Sequence, residues 1–177
     1  TLVASKVRFE LLSNTTSGGL NGLYDFDPSS KTSSSLDSSD INKAGNSLSK
    51  DAVIMSLAEN NGIVYVAGNF STEKIHNVMS ITDGNATAMP GGGLNSEVLA
   101  MTAFNDVLYV GGLFTDASDG AADGLNHVAS YSLSSNKWLP LGGGLNGQVN
   151  TIYPIKLNVS SGINETTIAV SGNFDQI

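Results

Sequence analysis

Residues 98–114, Val-Leu-Ala-Met-Thr-Ala-Phe-Asn-Asp-Val-Leu-Tyr-Val-Gly-Gly-Leu-Phe, decide the fold. Two short runs rich in aliphatic, β-branched and aromatic residues flank Asn105-Asp106, a pair that tolerates positive φ, so the stretch reads as a tight β-hairpin. The pattern occurs three times. Val53-Ile54-Met55-Ser56-Leu57 with Ile63-Val64-Tyr65-Val66-Ala67-Gly68-Asn69-Phe70 precedes it, and Val149-Asn150-Thr151-Ile152 with Thr167-Ile168-Ala169-Val170-Ser171-Gly172-Asn173-Phe174 follows. A second hairpin lies between the copies. Asn77–Ile81 leads to Gly91-Gly92-Gly93-Leu94-Asn95, and His127–Tyr131 leads through Trp138-Leu139-Pro140-Leu141 to Gly142-Gly143-Gly144-Leu145-Asn146.

In this alignment the opening valines Val53, Val98 and Val149 lie 45 and then 51 residues apart. Insertions fall between hairpin strands, at Lys156–Thr166 and between Phe114 and Val128. Asn60-Asn61-Gly62 and Asp83-Gly84 mark further tight turns. No segment carries a sustained apolar stripe of helical period. The chain is therefore all-β, and a four-stranded unit recurring every 45–51 residues predicts β-propeller-type blades. One such sheet cannot bury both faces alone, whereas stacked sheets cover each other. Glycine after each inner strand suits backbones crowding near a shared axis, and Phe70, Phe114 and Phe174 are expected to plug the gaps between units. Tyr109 and Phe114 are expected to be largely buried.

The units resemble kelch-like propeller blades in Leu108-Tyr109-Val110-Gly111-Gly112, then Tyr131 with Asn136-Lys137-Trp138. Asn126-x-Val128-Ala129-x-Tyr131, then Trp138-x-Pro140-Leu141-Gly-Gly-Gly-Leu-Asn-Gly147-x-Val149, then Leu-Tyr-Val-Gly-Gly-x-Phe at 108–114 resemble the fungal cortical marker of cell polarity, a bud-site-selection membrane protein. The likeness covers 53–177 and is best at 98–149. The unit at 53–95 departs from it, with Thr87 where Trp138 stands and Ile81 for Tyr131. The resemblance implies a large glycosylated ectodomain, a membrane anchor outside this stretch and a role as a cortical landmark.

Three regions are expected: N-terminal strands in 1–27, outside the repeat (Val7–Leu12 and Leu23–Phe26); a Ser-rich loop or linker in 28–50, where ten of 23 residues are Ser or Thr; and the repeats in 51–177, about two and a half blades. Propellers close with about four to eight blades, so the chain is expected to be part of a larger propeller with open sheet edges.

Composition removes several functions. With 8 Lys+Arg against 16 Asp+Glu and a net charge of −8, there is no basic face for nucleic acid. No apolar run reaches the roughly 18–20 residues that span a bilayer. Zero cysteines exclude disulfides, zinc–thiolate sites and thiol nucleophiles. No Gly-x-Ser-x-Gly elbow occurs, and the glycine triplets lack the Lys-Ser/Thr and helix of a phosphate loop. No catalytic residue, metal or cofactor is expected.

Five N-glycosylation sequons begin at Asn14, Asn69, Asn85, Asn158 and Asn164. Asn85 lies in a turn and Asn158 and Asn164 flank an insertion, so these are exposed acceptors. Asn69, inside the repeated Gly-Asn-Phe, reads first as structural. Asp116, Asp119 and Asp123 crowd a loop but lack the alternate spacing of a calcium loop and read as a solvated acidic segment. His76 and His127 sit one position out of register and make a poor metal site. Tyr131 and Trp138 form either a sugar platform or, preferentially, packing between blades.

These readings converge on a non-enzymatic cell-surface scaffold or landmark in the secretory pathway, acting through protein partners at the cell cortex or cell-wall glycans. A glycan-binding module and part of a polysaccharide-active propeller enzyme are the alternatives.

Overall fold

The structure is a computed structural model that describes residues 24–27, 29–35, 40–45, 47–48, 51–122, 124–158 and 164–177. Its elements run β1 (Tyr24–Asp27), β2 (Thr32–Ser35), α1 (Asp40–Gly45), β3 (Val53–Asn60), β4 (Ile63–Ser71), β5 (His76–Thr82), β6 (Asn85–Ala88), β7 (Val98–Phe104), β8 (Val107–Gly112), β9 (Val128–Ser132), β10 (Lys137–Pro140), β11 (Gln148–Asn158) and β12 (Asn164–Asn173). The fold is all-β, as the hairpin pattern requires. β3-β4-β5-β6 and β7-β8-β9-β10 are four-stranded antiparallel meanders, while β11-β12 and β1-β2 are two-stranded hairpins. The first, second and third sheets below are β3–β6, β7–β10 and β11–β12.

Turn chemistry fixes the registers. Asn61 and Gly62 take φ of 52° and 80°, Asp83 and Gly84 50° and 76°, and Asn105 and Asp106 50° and 57°. Positive φ at both central residues is the mirror-type turn that matches strand twist.

All three sheets carry the same irregularity. The register slips between Ile54 and Ser56, between Val98 and Ala100, and between Val149 and Thr151. Opposite each slip stands a glycine: Gly68, Gly112 and Gly172. A Cβ there would overlap the carbonyl oxygen of Val53, Glu97 or Gln148 respectively. The crowding that demands these glycines thus lies inside each sheet, across a β-bulge, rather than at a shared axis. The bulge also corrects the alignment. Ile54 opposes Gly68 as Val98 opposes Gly112 and Val149 opposes Gly172, so Ile54, not Val53, is the counterpart of Val98.

The sheets stack in a row through their first strands, β3 against β7 and β7 against β11. Ser56 ties β3 to β7, its hydroxyl donating to the Met101 carbonyl at 3.2 Å and accepting from the Met101 N–H at 3.0 Å. Between the first and second sheets lies the largest cluster, with Tyr65, Ala67, Val98, Val110, Phe114, Tyr131 and Trp138. Between the second and third lie Val128, Leu145, Val149 and Ile152, flanked by Tyr109 and Phe174. Phe114 is fully buried as expected, but Tyr109, which faces the β11–β12 hairpin, is only half-buried.

Residues 28–50 are not wholly a loop. β2 pairs with β1 across the expected boundary at 27/28. Asp27 closes the connecting turn by accepting from the Ser29 N–H at 2.8 Å and the Ser30 hydroxyl at 2.7 Å. These bonds, the Ser30 hydroxyl first, lower the carboxyl pKa from its ordinary value. α1 buries Ala44 in a cluster with Val66, Phe70, Met79 and Ile81, on the face of the first sheet turned away from the second. Ser-rich composition hid the few apolar residues, Ala44, Leu48 and Ala52, that dock this segment. The expected strand Val7–Leu12 lies outside the described residues.

Candidate functional site

A polar cleft of 290 Å³ opens where the first sheet meets the second, lined by Asn69, Ser71, His76, Asn77, Asn95, Ser96, Glu97 and Ser118. β4 delivers Asn69 and Ser71, the start of β5 delivers His76 and Asn77, and the approach to β7 delivers Asn95–Glu97. The polar groups here largely hold one another. Asn69 Nδ2 donates to Glu97 Oε1 at 2.8 Å, joining the two sheets. Ser71 Oγ and His76 Nδ1 lie 2.8 Å apart in a hydrogen bond. Asn77, at φ 60° and nearly buried, accepts from the Phe70 N–H at 3.2 Å and donates to the Leu94 carbonyl at 2.9 Å. Its amide completes backbone bonds that the loop leaves open, as a buried side-chain amide must.

The asparagine of Gly-Gly-Gly-Leu-Asn has a role that its sequence context did not reveal. Asn95 Oδ1 accepts from the Thr115 and Asp116 N–H groups at 2.9 and 3.3 Å, and its Nδ2 donates to Thr115 Oγ1 at 3.0 Å. Fifty-one residues on, Asn146 Oδ1 accepts from the Asp175 and Gln176 N–H groups, both at 3.1 Å, and its Nδ2 donates to Asp175 Oδ1 at 2.6 Å. Each amide clamps the loop that follows the second strand of the next sheet. The repetition of asparagine after the glycine triplet was the available signal.

The sequence-predicted positions separate. Asn85 is exposed just after the Asp83-Gly84 turn, its Nδ2 donating to the Asp83 carbonyl at 3.2 Å. Asn158 and Asn164 pair across the β11–β12 hairpin at its far end. Asn69 is exposed, with its amide engaged by Glu97, and Asn14 lies outside the described residues. The structure does not bring these asparagines together.

The acidic loop is self-bonded. Asp116 Oδ1 accepts from the Ala117 N–H at 2.6 Å and the Ala122 N–H at 3.2 Å, and Asp119 Oδ1 from the Ala121 N–H at 2.9 Å. Asp123 lies outside the described residues. His127 Nδ1 is buried without a hydrogen-bond partner. Among the described residues no three His, Cys, Asp or Glu side chains gather as metal ligands.

Trp138 and Tyr131 face each other across β10–β9, ring centroids 4.9 Å apart at 51°. Both are buried, and Trp138 Nε1 donates to the Pro90 carbonyl of the first unit at 3.0 Å. They pack between sheets and present no open stacking surface. Burial raises the Tyr131 hydroxyl pKa, with nearby Tyr65 adding to the shift, and burial raises that of Tyr65.

No protein-family model matches the chain. Two curated proteins do resemble it. Over 183 aligned residues, covering the whole chain, it is 43% identical to "Polarized growth protein L1" of Phoma sp.. Over 125 residues, 70% of the chain, it is 36% identical to "Polarized growth protein rax2" of Schizosaccharomyces pombe. Both relatives are fungal polarity proteins. They support the family read from the repeat. The chain spans 14% and 11% of their lengths. Among solved structures, the computationally designed Ika4 protein aligns with 70% of this chain and 94% of its own at a TM-score of 0.33 and 15% identity.

Proposed function

We propose that this chain is a segment of a fungal cell-surface landmark for polarised growth, a non-enzymatic scaffold whose sheets are blades of a kelch-like propeller. The likeness to the two polarised growth proteins carries the reading. The architecture supports it: successive antiparallel meanders joined through their first strands are what adjacent blades look like. The cleft between the first two sheets supports a scaffold as well, because the side chains of Asn69, Ser71, His76, Asn77, Asn95 and Glu97 in it are already hydrogen-bonded within the protein. Partners at the cell cortex or wall glycans would engage the loops, with Asn85, Asn158 and Asn164 as glycan acceptors and the membrane reached through an anchor elsewhere.

The test removes the region equivalent to 53–158 from a fungal polarised growth protein and scores where cells place new growth sites. Misplaced sites with the protein still at the surface are expected, and normal placement would overturn the reading. Mass spectrometry of secreted chain checks the glycans, and unmodified Asn85, Asn158 and Asn164 would remove that part.

A further inference from the structure

The two complete sheets treat their outer strands differently. β6 ends the order β3-β4-β5-β6 and β10 ends β7-β8-β9-β10, so among the described residues each has one side without a strand neighbour. Such an edge is a template for another strand. β10 carries its own guards. Lys137 and Pro140 are both exposed, and either residue on an edge opposes pairing, the proline because it has no N–H to give.

β6, Asn85-Ala86-Thr87-Ala88, holds no charge and no proline. Asp83 and Gly84 form a two-residue turn with positive φ at both positions, which makes the flanking Thr82 and Asn85 a hydrogen-bonded pair. Bonding alternates along an antiparallel pair, so Ala86 and Ala88 turn their N–H and C=O groups away from β5.

Side chains alternate as well. Ala86 packs against the cluster that holds Ala44, Phe70 and Ile81, so a charge on that face would disrupt apolar contacts. Asn85 and Thr87 lie on the opposite face and are exposed. Together they are the acceptor amide and the hydroxyl of the sequon.

We infer that an N-linked glycan on Asn85 guards this edge against the same strand of a second copy. Two identical β6 strands pair antiparallel about a two-fold axis, each presenting the same patch. The incoming strand would lie ~4.8 Å from β6, inside the volume that a glycan on Asn85 sweeps. Transfer from a lipid-linked diphosphate oligosaccharide joins a sugar carbon to Nδ2 and releases the lipid diphosphate and one Nδ2 proton. The hydrogen that stays on Nδ2 can still donate to the Asp83 carbonyl, as the free amide does at 3.2 Å. The inference rests on the acceptor reading above and adds what the glycan does there.

The test compares wild-type chain secreted from a eukaryotic host with Asn85→Gln, Thr87→Ala and Thr87→Lys, all three of which lose the sequon. Amide exchange at Ala86 and Ala88 is followed at about 1 and 100 µM, a range that spans a micromolar contact. In the wild type, exchange at these two amides should be independent of concentration. Asn85→Gln and Thr87→Ala should slow it at the higher concentration, by roughly tenfold where about nine chains in ten are paired. Thr87→Lys replaces the glycan with a charge on the same face and should exchange like the wild type. The readout is confined to β6, so association elsewhere on the chain does not register. Glycosylated Asn85 with exchange unaltered by Asn85→Gln and Thr87→Ala would overturn the guard and leave the acceptor standing. Mass spectrometry that finds Asn85 unmodified in the secreted wild type would overturn the acceptor reading at this residue, and the guard with it.

Discussion

Tyr65 and Tyr109 stand at the same position of the repeat, opposite Ala58 and Thr102 on the neighbouring first strand. Their surroundings differ. Tyr65 is buried, facing a complete sheet whose outer strands bring in Tyr131 and Trp138. Tyr109 is half-buried, facing the β11–β12 hairpin. The inner hairpins make the contact between units, and the outer hairpins seal it. Tyr131 and Trp138 therefore stabilise the junction on the N-terminal side of their unit, as Phe114 and Phe174 do, whereas Tyr65 and Tyr109 face the junction on the C-terminal side of theirs.

The largest effect should separate these two phenylalanines. Phe114 is completely enclosed at the sealed junction, and Phe114→Ala should cost roughly 3–5 kcal/mol from lost transfer energy plus a cavity. Phe174 is half-buried at the unsealed junction, where solvent already reaches the site and less burial is lost. Phe174→Ala should therefore destabilise clearly less in urea unfolding. Equal losses would break the comparison.

Trp138→Phe probes the seal itself. It keeps a ring against Tyr131 but removes the Nε1–H bond to the Pro90 carbonyl, with an expected cost of about 1–2 kcal/mol. Hydrogen exchange should quicken around Tyr65 and stay unchanged around Tyr109. A uniform change at both would show that the outer strand does not act on one junction alone.

The seal also has a pH signature. Burial raises the Tyr65 and Tyr131 pKa values above the ordinary 10.0, so the folded state favours their neutral forms. Their contribution is intact below the unfolded value and is lost as pH rises through the raised folded values. Stability should fall above about pH 10. In an ultraviolet titration, Tyr65→Phe and Tyr131→Phe should each remove a late-ionising phenol. A curve unchanged by both substitutions would contradict the buried environment.

Much of this arrangement was legible in residues. Asn61-Gly62, Asp83-Gly84 and Asn105-Asp106 announced their turns, and Gly-x-Phe marked each inner hairpin. The bulge was hidden because one extra residue leaves the pattern of residue types nearly intact, so Val53 passed for the partner of Val98. α1 was hidden because docking a segment takes only a few apolar side chains, and Ala44, Leu48 and Ala52 are scattered among serines. The cleft's polar residues looked ordinary singly. Only the fold brings Asn69 of one unit to Glu97 of the next.

The asparagine clamps give the smallest effect and the sharpest control. Asn95 and Asn146 accept the same pair of backbone bonds from equivalent loops, one beside each junction, and differ only in the Nδ2 acceptor, the Thr115 hydroxyl in one and the exposed Asp175 carboxylate in the other. Both sets of bonds lie at the surface, where water replaces a lost amide, so Asn→Ala should cost about 0.5–1.5 kcal/mol at either site. Sealing by outer strands acts through burial and should not reach an exposed amide. Asn95→Ala and Asn146→Ala should therefore cost the same, within a few tenths of a kcal/mol, even though Phe114 and Phe174 do not. If Asn146→Ala is instead much the milder of the two, the third hairpin is loosely held along its whole length. The contrast between Tyr65 and Tyr109 would then reflect a mobile partner instead of the sealing by Tyr131 and Trp138.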